Sequence, residues 1–236
     1  MNLEKYQQYS RIARGLEKAD LVLKDARIVN VFTEEIIRGD IAIQDGIIAG
    51  IGSFHGKEER DLAGRYVCPG FIDSHLHLES TLVTPAELVT AASRHGTTTF
   101  IVDPHESANV SGLAGIDYIL DQTEDVKANV YVMMPSCVPA TAIDDNGCTL
   151  TAEDMVPYLH NSRILGLGEV MDSISVVQGE KSMHDKLELF EGRIRDGHAP
   201  FLEEGDLQAY AMAGIATDHE CSFFDYAMRE RRNGLT

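Results

Sequence analysis

Residues 69–77 read PGFIDSHLH, an apolar run that ends in a His-x-His motif. Because side chains two residues apart on a β-strand lie on the same face, His75 and His77 are expected to project together from the strand end. Two imidazoles that point the same way form a ready chelate for a metal ion. The stretch therefore predicts a strand over residues 67–73 with a metal-binding pair at its carboxyl end. The alternative is a pair of solvated loop histidines.

From Tyr66 onward, β-rich runs alternate with helical patterns, which is typical of a parallel sheet. Strands are predicted over residues 67–73, 97–103, 129–135, 164–170, 194–198 and 215–218. Helices are predicted over residues 85–95, 112–124, 152–160, 183–192, 206–213 and 223–232. The Gly-rich phosphate loops of open dinucleotide-binding sheets do not occur in the sequence, so a (β/α)8 TIM-type barrel is the favoured fold.

The N-terminal part has a different pattern and is predicted to be a separate domain. A short helix is expected over residues 4–15, followed by a small antiparallel β unit with a tight turn at Asp45-Gly46. Its short β runs cover residues 21–23, 27–31, 36–43 and 46–51. The predicted domains are residues 1–65, a helix with a β-sandwich portion, and residues 66–236, a barrel with about six βα units.

Acidic residues and histidines recur where the predicted strands end. The candidates are Asp103, His105 and Glu106 after the second strand, Glu169 in the fourth, Asp196 and His198 at the fifth, and Asp218, His219 and Glu220 at the sixth. Barrel enzymes build their active sites at this edge, so these side chains are expected to converge. Any single one could be a helix cap instead. The third strand ends at Ser136-Cys137, where a structural role is as good an interpretation. The remaining histidines, namely His55, His95, His160 and His184, are assigned no metal.

Composition excludes several classes of protein. The 236 residues carry 38 acidic and 20 basic side chains, a formal charge of -18, which repels phosphate backbones and argues against nucleic-acid binding. No apolar run approaches the ~20 residues of a membrane helix, and residues 1–15 lack the apolar centre of a signal peptide. The four cysteines form no Cys-x-x-Cys pair, so neither a disulfide framework nor a zinc ribbon is expected. The sequence therefore predicts a soluble, cytoplasmic protein without a nucleic-acid or membrane partner.

Five stretches of the chain resemble the amidohydrolase superfamily and, within it, the bacterial adenine deaminase family. They are PGFIDSHLHLES (69–80), TTTFIVDPHE (97–106), LGLGEVMD (165–172), DGHAP…GIATDHE (196–220) and, in the N-terminal part, IAIQDGIIAGIG (41–52). The resemblance implies hydrolytic deamination of adenine to hypoxanthine and ammonia by a metal-activated hydroxide, in purine catabolism. It also implies a homo-oligomer. Alternatives are a cyclic amidase, another heterocycle deaminase, or a truncated, inactive metal-binding fragment.

The same resemblance implies a binuclear divalent metal centre, with Mn(II) or Fe(II) favoured and Zn(II) possible. His75 and His77 would bind one metal, and His198 and His219 the other. Glu169 would bridge the two metals, where cyclic amidases of the superfamily carry a carboxylated lysine; no lysine lies near this strand end. Asp103 joins Glu169 as a catalytic candidate, with His105 and Glu106 beside the metals. The zinc cytidine-deaminase signature is only half present, since His77-x-Glu79 is not followed by P-C-x-x-C.

Six predicted βα units fall short of the eight of a closed barrel. The family's aspartate at the end of the eighth strand would also lie beyond Thr236. We therefore expect these residues to be the front part of a longer enzyme. Expressed alone, they should aggregate through open sheet edges and turn over adenine negligibly.

Overall fold

The structure is a computed structural model that describes residues 1–141 and 143–236. The chain divides into two units, Met1–Pro69 and Gly70–Thr236. The domain boundary expected between residues 65 and 66 stays a prediction.

The first unit is a helix with a mixed sheet. Its elements are α1 (Leu3–Ala13), β1 (Ala19–Asn30), β2 (Glu35–Gln44), β3 (Ile47–Gly52), β4 (Gly56–Asp61) and β5 (Tyr66–Val67). The strand order is β3-β2-β1-β4, and β5 also pairs with β1. The pairs β1–β2 and β2–β3 are antiparallel. The expectation of a purely antiparallel unit was wrong in one respect, because β4 and β5 run parallel to β1.

Two turns explain how the sequence pattern maps onto this sheet. The predicted runs 21–23 and 27–31 are one strand, β1, with a register shift between Leu23 and Ala26 where Asp25 takes a φ of 51°. Asp45 and Gly46 have φ values of 50° and 75°, which confirms the tight hairpin turn between β2 and β3.

The second unit alternates strands and helices. The strands are β6 (Phe71–Leu76), β7 (Thr97–Val102), β8 (Asn129–Pro135), β9 (Ile164–Val170), β10 (Ile194–Gly197) and β11 (Thr217–Asp218). The helices are α2 (Pro85–Ser93), α3 (His105–Ser111), α4 (Leu113–Gln122), α5 (Ala152–Met155), α6 (Ser173–Gln178), α7 (Lys181–Leu189), α8 (Glu204–Met212) and α9 (Phe224–Arg232), with 3-10 turns at Glu79–Thr81 and Val156–His160. Within the described part of the chain, the six strands lie in the sheet in sequence order, and all neighbours are parallel. The predicted parallel α/β barrel architecture, with six βα units, is confirmed.

The first barrel strand begins later than the sequence pattern predicts. The prediction of residues 67–73 was wrong, because Val67 belongs to β5 and pairs with β1, whereas β6 starts at Phe71. Pro69 separates the two segments, since proline has no N–H to give to a sheet ladder. His75 therefore lies inside β6, and His77 is the first residue beyond it.

The helices differ from the prediction in smaller ways. The helix expected over residues 152–160 ends at Met155 and continues as a 3-10 turn over Val156–His160, in which Pro157 has no N–H to give to an α-helical hydrogen bond. Helices α3 and α6 were not predicted. The main apolar core joins alternate residues of the strands, such as Phe100 and Val102 of β7, to residues of the helices, such as Ile116 of α4. No helix among the described residues has the length and apolar character needed to cross a membrane.

Candidate metal centre

Glu169 occupies the centre of the site. It lies in β9 and is 3% exposed. Its Oε1 lies 2.7 Å from His75 Nε2, 3.1 Å from His77 Nε2 and 3.1 Å from His219 Nε2. Its Oε2 lies 3.1 Å from His105 Nδ1. One buried carboxylate thus meets imidazoles from β6, from α3 and from the segment after β11.

The His-x-His pair takes the geometry that its spacing predicts. The Nε2 atoms of His75 and His77 are 3.0 Å apart, and both rings are half-buried. His77 Nδ1 is 2.8 Å from the backbone oxygen of Asp103. A carbonyl oxygen can only accept a hydrogen bond, so Nδ1 carries the hydrogen and Nε2 is left to face Glu169.

His198 and His219 complete the group at the ends of β10 and β11. The His219 ring stacks on His75 at a centroid distance of 3.7 Å, and the His198 ring lies 5.4 Å from that of His219. The buried Tyr210 hydroxyl fixes the turn that carries His198. It accepts a hydrogen bond from the His198 backbone N–H at 3.0 Å and donates to Val170 O, next to Glu169, at 2.6 Å.

Asp196 belongs to the site, although it was predicted only as a strand-end carboxylate without a metal role. Its Oδ2 lies 3.3 Å from His75 Nδ1 and 3.6 Å from His219 Nδ1, and Thr217 Oγ1 donates to its Oδ1 at 2.5 Å. A carboxylate on Nδ1 turns Nε2 toward the centre, which is how carboxylates orient histidine ligands. Asp196 and His198 are two residues apart, as His75 and His77 are. This spacing could have predicted that Asp196 joins the site.

Asp103 and His105 lie on the other side of Glu169. Asp103 is 1% exposed, and no hydrogen bond reaches either carboxylate oxygen. His105 Nδ1 lies 3.7 Å from Asp103 Oδ1. Glu106 was expected beside the metals but turns away, and its carboxylate accepts a hydrogen bond from the exposed Ser80 hydroxyl at 2.6 Å.

The charges of this cluster favour an ionised carboxylate inside a positive shell. Burial alone would raise the pKa of Glu169, but the contacts from His105, His219, His75 and His77 outweigh burial and hold its pKa below the usual range. Burial would lower the pKa of His75, but Asp196 and Glu169 raise it to about 9. The pKa of His219 rises to about 10 for the same reason. A divalent cation would supply the same positive charge at this position.

The donor set fits a divalent metal. Four overlapping groups each place one ligand atom per residue within 4.8 Å of the others: His75–His77–Glu169, Glu169–His198–His219, His75–Asp196–His219 and Asp103–His105–Glu169. In the described residues, Asp103 Oδ1 and Oδ2, His105 Nδ1 and His198 Nδ1 are buried without a hydrogen-bond partner. Imidazole and carboxylate without thiolate suit Mn, Fe, Co or Zn. The structure thus brings together all the predicted ligands: His75, His77, Glu169, His198 and His219.

Comparison with known proteins gives a family and relatives. The amidohydrolase family model matches residues 66–233. An adenine deaminase of Desulfitobacterium hafniense (strain Y51) is 57% identical over 235 residues, covering 100% of this chain and 41% of that relative. An adenine deaminase of Clostridium acetobutylicum is 48% identical over 225 residues, covering 94% and 40%. The chain therefore spans about two fifths of the length of these curated relatives.

Two solved structures share the fold. An N-acyl-D-glutamate deacylase from Bordetella bronchiseptica matches with a TM-score of 0.62 at 17% identity, over 93% of this chain and 57% of that one. A 5-methylcytosine deaminase from Klebsiella pneumoniae matches with a TM-score of 0.55 at 16% identity, over 91% and 64%. At such identities the likeness concerns the fold alone.

Proposed function

Because the chain belongs to the amidohydrolase family, we propose that it carries the metal centre of a hydrolase that converts adenine and water into hypoxanthine and ammonia. The observation that carries the proposal is the buried Glu169 carboxylate, with imidazole nitrogens of His75, His77, His219 and His105 within 3.1 Å. The similarity of the chain to curated adenine deaminases supports the choice of substrate.

The proposed centre holds two divalent metals. His75 and His77 would hold one metal, His198 and His219 would hold the other, and Glu169 would be shared between them. Mn(II) and Fe(II) are our preferred ions, and Zn(II) also suits imidazole and carboxylate donors. When bound, such metals act as Lewis acids that lower the pKa of a coordinated water toward neutrality.

The residues of this chain prepare that chemistry in three ways. Glu169 offsets part of the positive charge that two cations bring together. Asp196, through Nδ1 of His75 and His219, and the backbone oxygen of Asp103, through Nδ1 of His77, keep the Nε2 atoms directed at one point. Asp103 stays in the proposed catalytic set as a buried carboxylate beside Glu169 that no hydrogen-bond donor reaches.

Adenine suits this site chemically, because C6 of the ring is electron-poor and bears an amino group that can leave as ammonia. Addition of water oxygen at C6 and departure of the amine, after proton transfer to its nitrogen, give hypoxanthine. We further propose a homo-oligomer, as the resemblance implies, and a cytoplasmic location, as the composition predicts.

The test is ammonia release from adenine by a Mn(II)-loaded chimera in which this chain replaces the matching 41% of the Desulfitobacterium hafniense adenine deaminase, with Glu169→Gln as the negative control and hydantoin as the comparison substrate. We expect ammonia from adenine and no ring opening of hydantoin. Ring opening of hydantoin in place of deamination would make the protein a cyclic amidase. Two bound Mn(II) ions with no turnover of either compound would overturn the catalytic assignment and leave a metal-binding fragment.

A further inference from the structure

Asp103 has an unusual environment for a carboxylate. It follows β7, is 1% exposed, and neither oxygen has a hydrogen-bond partner. Taking an ionised carboxylate out of water is costly unless a cation or hydrogen-bond donors compensate for the lost hydration. The structure places one imidazole near it, His105, whose Nδ1 lies 3.7 Å from Asp103 Oδ1.

Strand β9 makes room for this carboxylate. A Cβ atom at Gly168 would lie 2.0 Å from Asp103 Oδ2 and 2.8 Å from its Cγ. No side chain at position 168 would fit beside the Asp103 carboxylate. Because Gly168 has none, Asp103 can pack against the backbone of β9 next to Glu169. The Asp103 side chain is therefore held next to Glu169 by packing, without a hydrogen bond to fix it.

The two oxygens of Glu169 face different partners. Oε1 lies within 3.1 Å of Nε2 of His75, His77 and His219, which are ligands of the proposed binuclear centre. Oε2 lies 3.1 Å from His105 Nδ1, on the side of Asp103. One oxygen is thus free of the histidines assigned to the two metals.

An acidic cavity leads to His105. It has a volume of about 470 Å3, and its lining includes His105, Glu106, Asn109, Asp144 and Asp145. Among the described residues, the lining contains no lysine or arginine. Three carboxylates at its wall, those of Glu106, Asp144 and Asp145, raise the local concentration of cations next to His105.

We propose that Asp103, His105 and Glu169 hold a third divalent cation, in addition to the two of the proposed centre. Each offers one ligand atom, and these atoms lie within 4.8 Å of one another. Two carboxylates and one imidazole form a harder donor set than the histidine pairs, which suits Mn(II) better than soft metals. This third site rests on the proposed function because both use Glu169. Its test, however, asks only whether a third equivalent of metal binds.

The first experiment counts Mn(II) bound per chain by equilibrium dialysis, at about 0.15 M salt to screen weak surface binding to this acidic protein. We expect three equivalents for the wild type and two for Asp103→Asn, with affinity for the third reduced by at least ~10-fold. Asp144→Asn is the matched control, since Asp144 lines the cavity but belongs to none of the four ligand groups, and it should keep three equivalents.

The outcomes separate this inference from the proposed function. Saturation of the wild type at two equivalents, with the same count in Asp103→Asn, overturns the third site and leaves the binuclear centre standing. Retention of three equivalents by Asp103→Asn also overturns it. A wild type that binds no Mn(II) overturns both proposals.

A second measurement needs no variant and so does not depend on how Asp103→Asn folds. Wild-type crystals soaked in Mn(II) should show anomalous density enclosed by the Asp103, His105 and Glu169 side chains. Anomalous peaks at the histidine pairs with none at Asp103 would contradict the inference.

Discussion

Glu169 Oε1 lies 2.7 Å from His75 Nε2, although β8 and β7 stand between their strands in the sheet. Neighbouring strands are about 4.8 Å apart, so three spacings in a flat sheet would separate β9 from β6 by roughly 14 Å. The contact therefore requires the sheet to curl, as in a barrel wall. The same curl brings His219, beyond β11, onto the ring of His75. The curvature of the sheet therefore brings together the side chains that form the candidate metal site.

Removing the Asp196 charge should weaken metal binding. Asp196→Asn keeps the shape of the side chain but weakens its hold on Nδ1 of His75 and His219. Loss of such an orienting partner typically costs ~10–100-fold in metal affinity. Isothermal titration with Mn(II) measures the change, and the exposed Asp206→Asn is the control. Equal affinities for the two variants would exclude an orienting role for Asp196.

The Tyr210 hydroxyl should matter for the second histidine pair. Tyr210→Phe leaves Val170 O and the His198 N–H unpaired in the interior, at an expected cost of about 1–3 kcal/mol in the free energy of unfolding. Metal affinity at His198 should fall more than at His75 and His77. Tyr158→Phe, which removes only a bond to the surface Asp117, is the control. An unchanged Mn(II) titration in Tyr210→Phe would show that His198 is held by other contacts.

Gly168→Ala tests the close packing of Asp103 against β9. The new methyl group would lie 2.0 Å from Asp103 Oδ2, so the strand or the carboxylate must move. We expect about 1–3 kcal/mol of destabilisation, as for other overpacked cores. Gly205→Ala places a methyl group in open space at the start of α8 and should leave stability unchanged or slightly higher. Thermal unfolding followed by circular dichroism compares them, and similar curves would show that the site tolerates the shift.

The acid sensitivity of the first unit should depend on Asp40. Burial raises the pKa of Asp40, but hydrogen bonds from Lys24 Nζ and from the backbone N–H groups of Asp25 and Phe54 outweigh it and hold the pKa below its ordinary value of 3.8. Its stabilising contribution is therefore complete above that value and lost as the pH falls toward the depressed folded-state pKa.

Hydrogen exchange of the β1 and β2 amides in wild type and Asp40→Asn checks this dependence. The protection lost in the variant should be constant between about pH 7 and pH 5, and the two proteins should converge below pH 3.8. A difference that persists undiminished in strong acid would mean that the ionised carboxylate contributes nothing.

Much of the site could be predicted from local sequence, because strand periodicity alone places His75 and His77 on one face. The order of the βα units likewise follows from alternating patterns. Other features depend on tertiary contacts that leave no local pattern. Strand β4 (Gly56–Asp61) contains the polar run Lys57–Arg60, and it is a strand because its backbone pairs with β1. Asp196 was predicted as a strand-end carboxylate, but its contact with His75 Nδ1 depends on the curl of the sheet.

Helix α3 was missed for a related reason. The sequence from Asp103 to Glu106 was interpreted as a strand end, and Pro104 occupies the position before the first helical residue, His105. Starting a helix there turns Glu106 outward while His105 meets Glu169. The residue types predicted a polar cluster at this strand end. The position at which α3 begins determines that His105, and not Glu106, contacts Glu169.

Electron paramagnetic resonance of protein loaded with two equivalents of Mn(II) tests whether Glu169 bridges two divalent metals. We predict the spectrum of an exchange-coupled pair in the wild type, lost in Glu169→Gln and retained in Glu79→Gln, since the Glu79 carboxylate accepts a hydrogen bond from the Ser107 N–H and belongs to none of the four ligand groups. Spectra of isolated Mn(II) ions in the wild type, or a coupled pair that survives in Glu169→Gln, would show that Glu169 does not bridge the two metals.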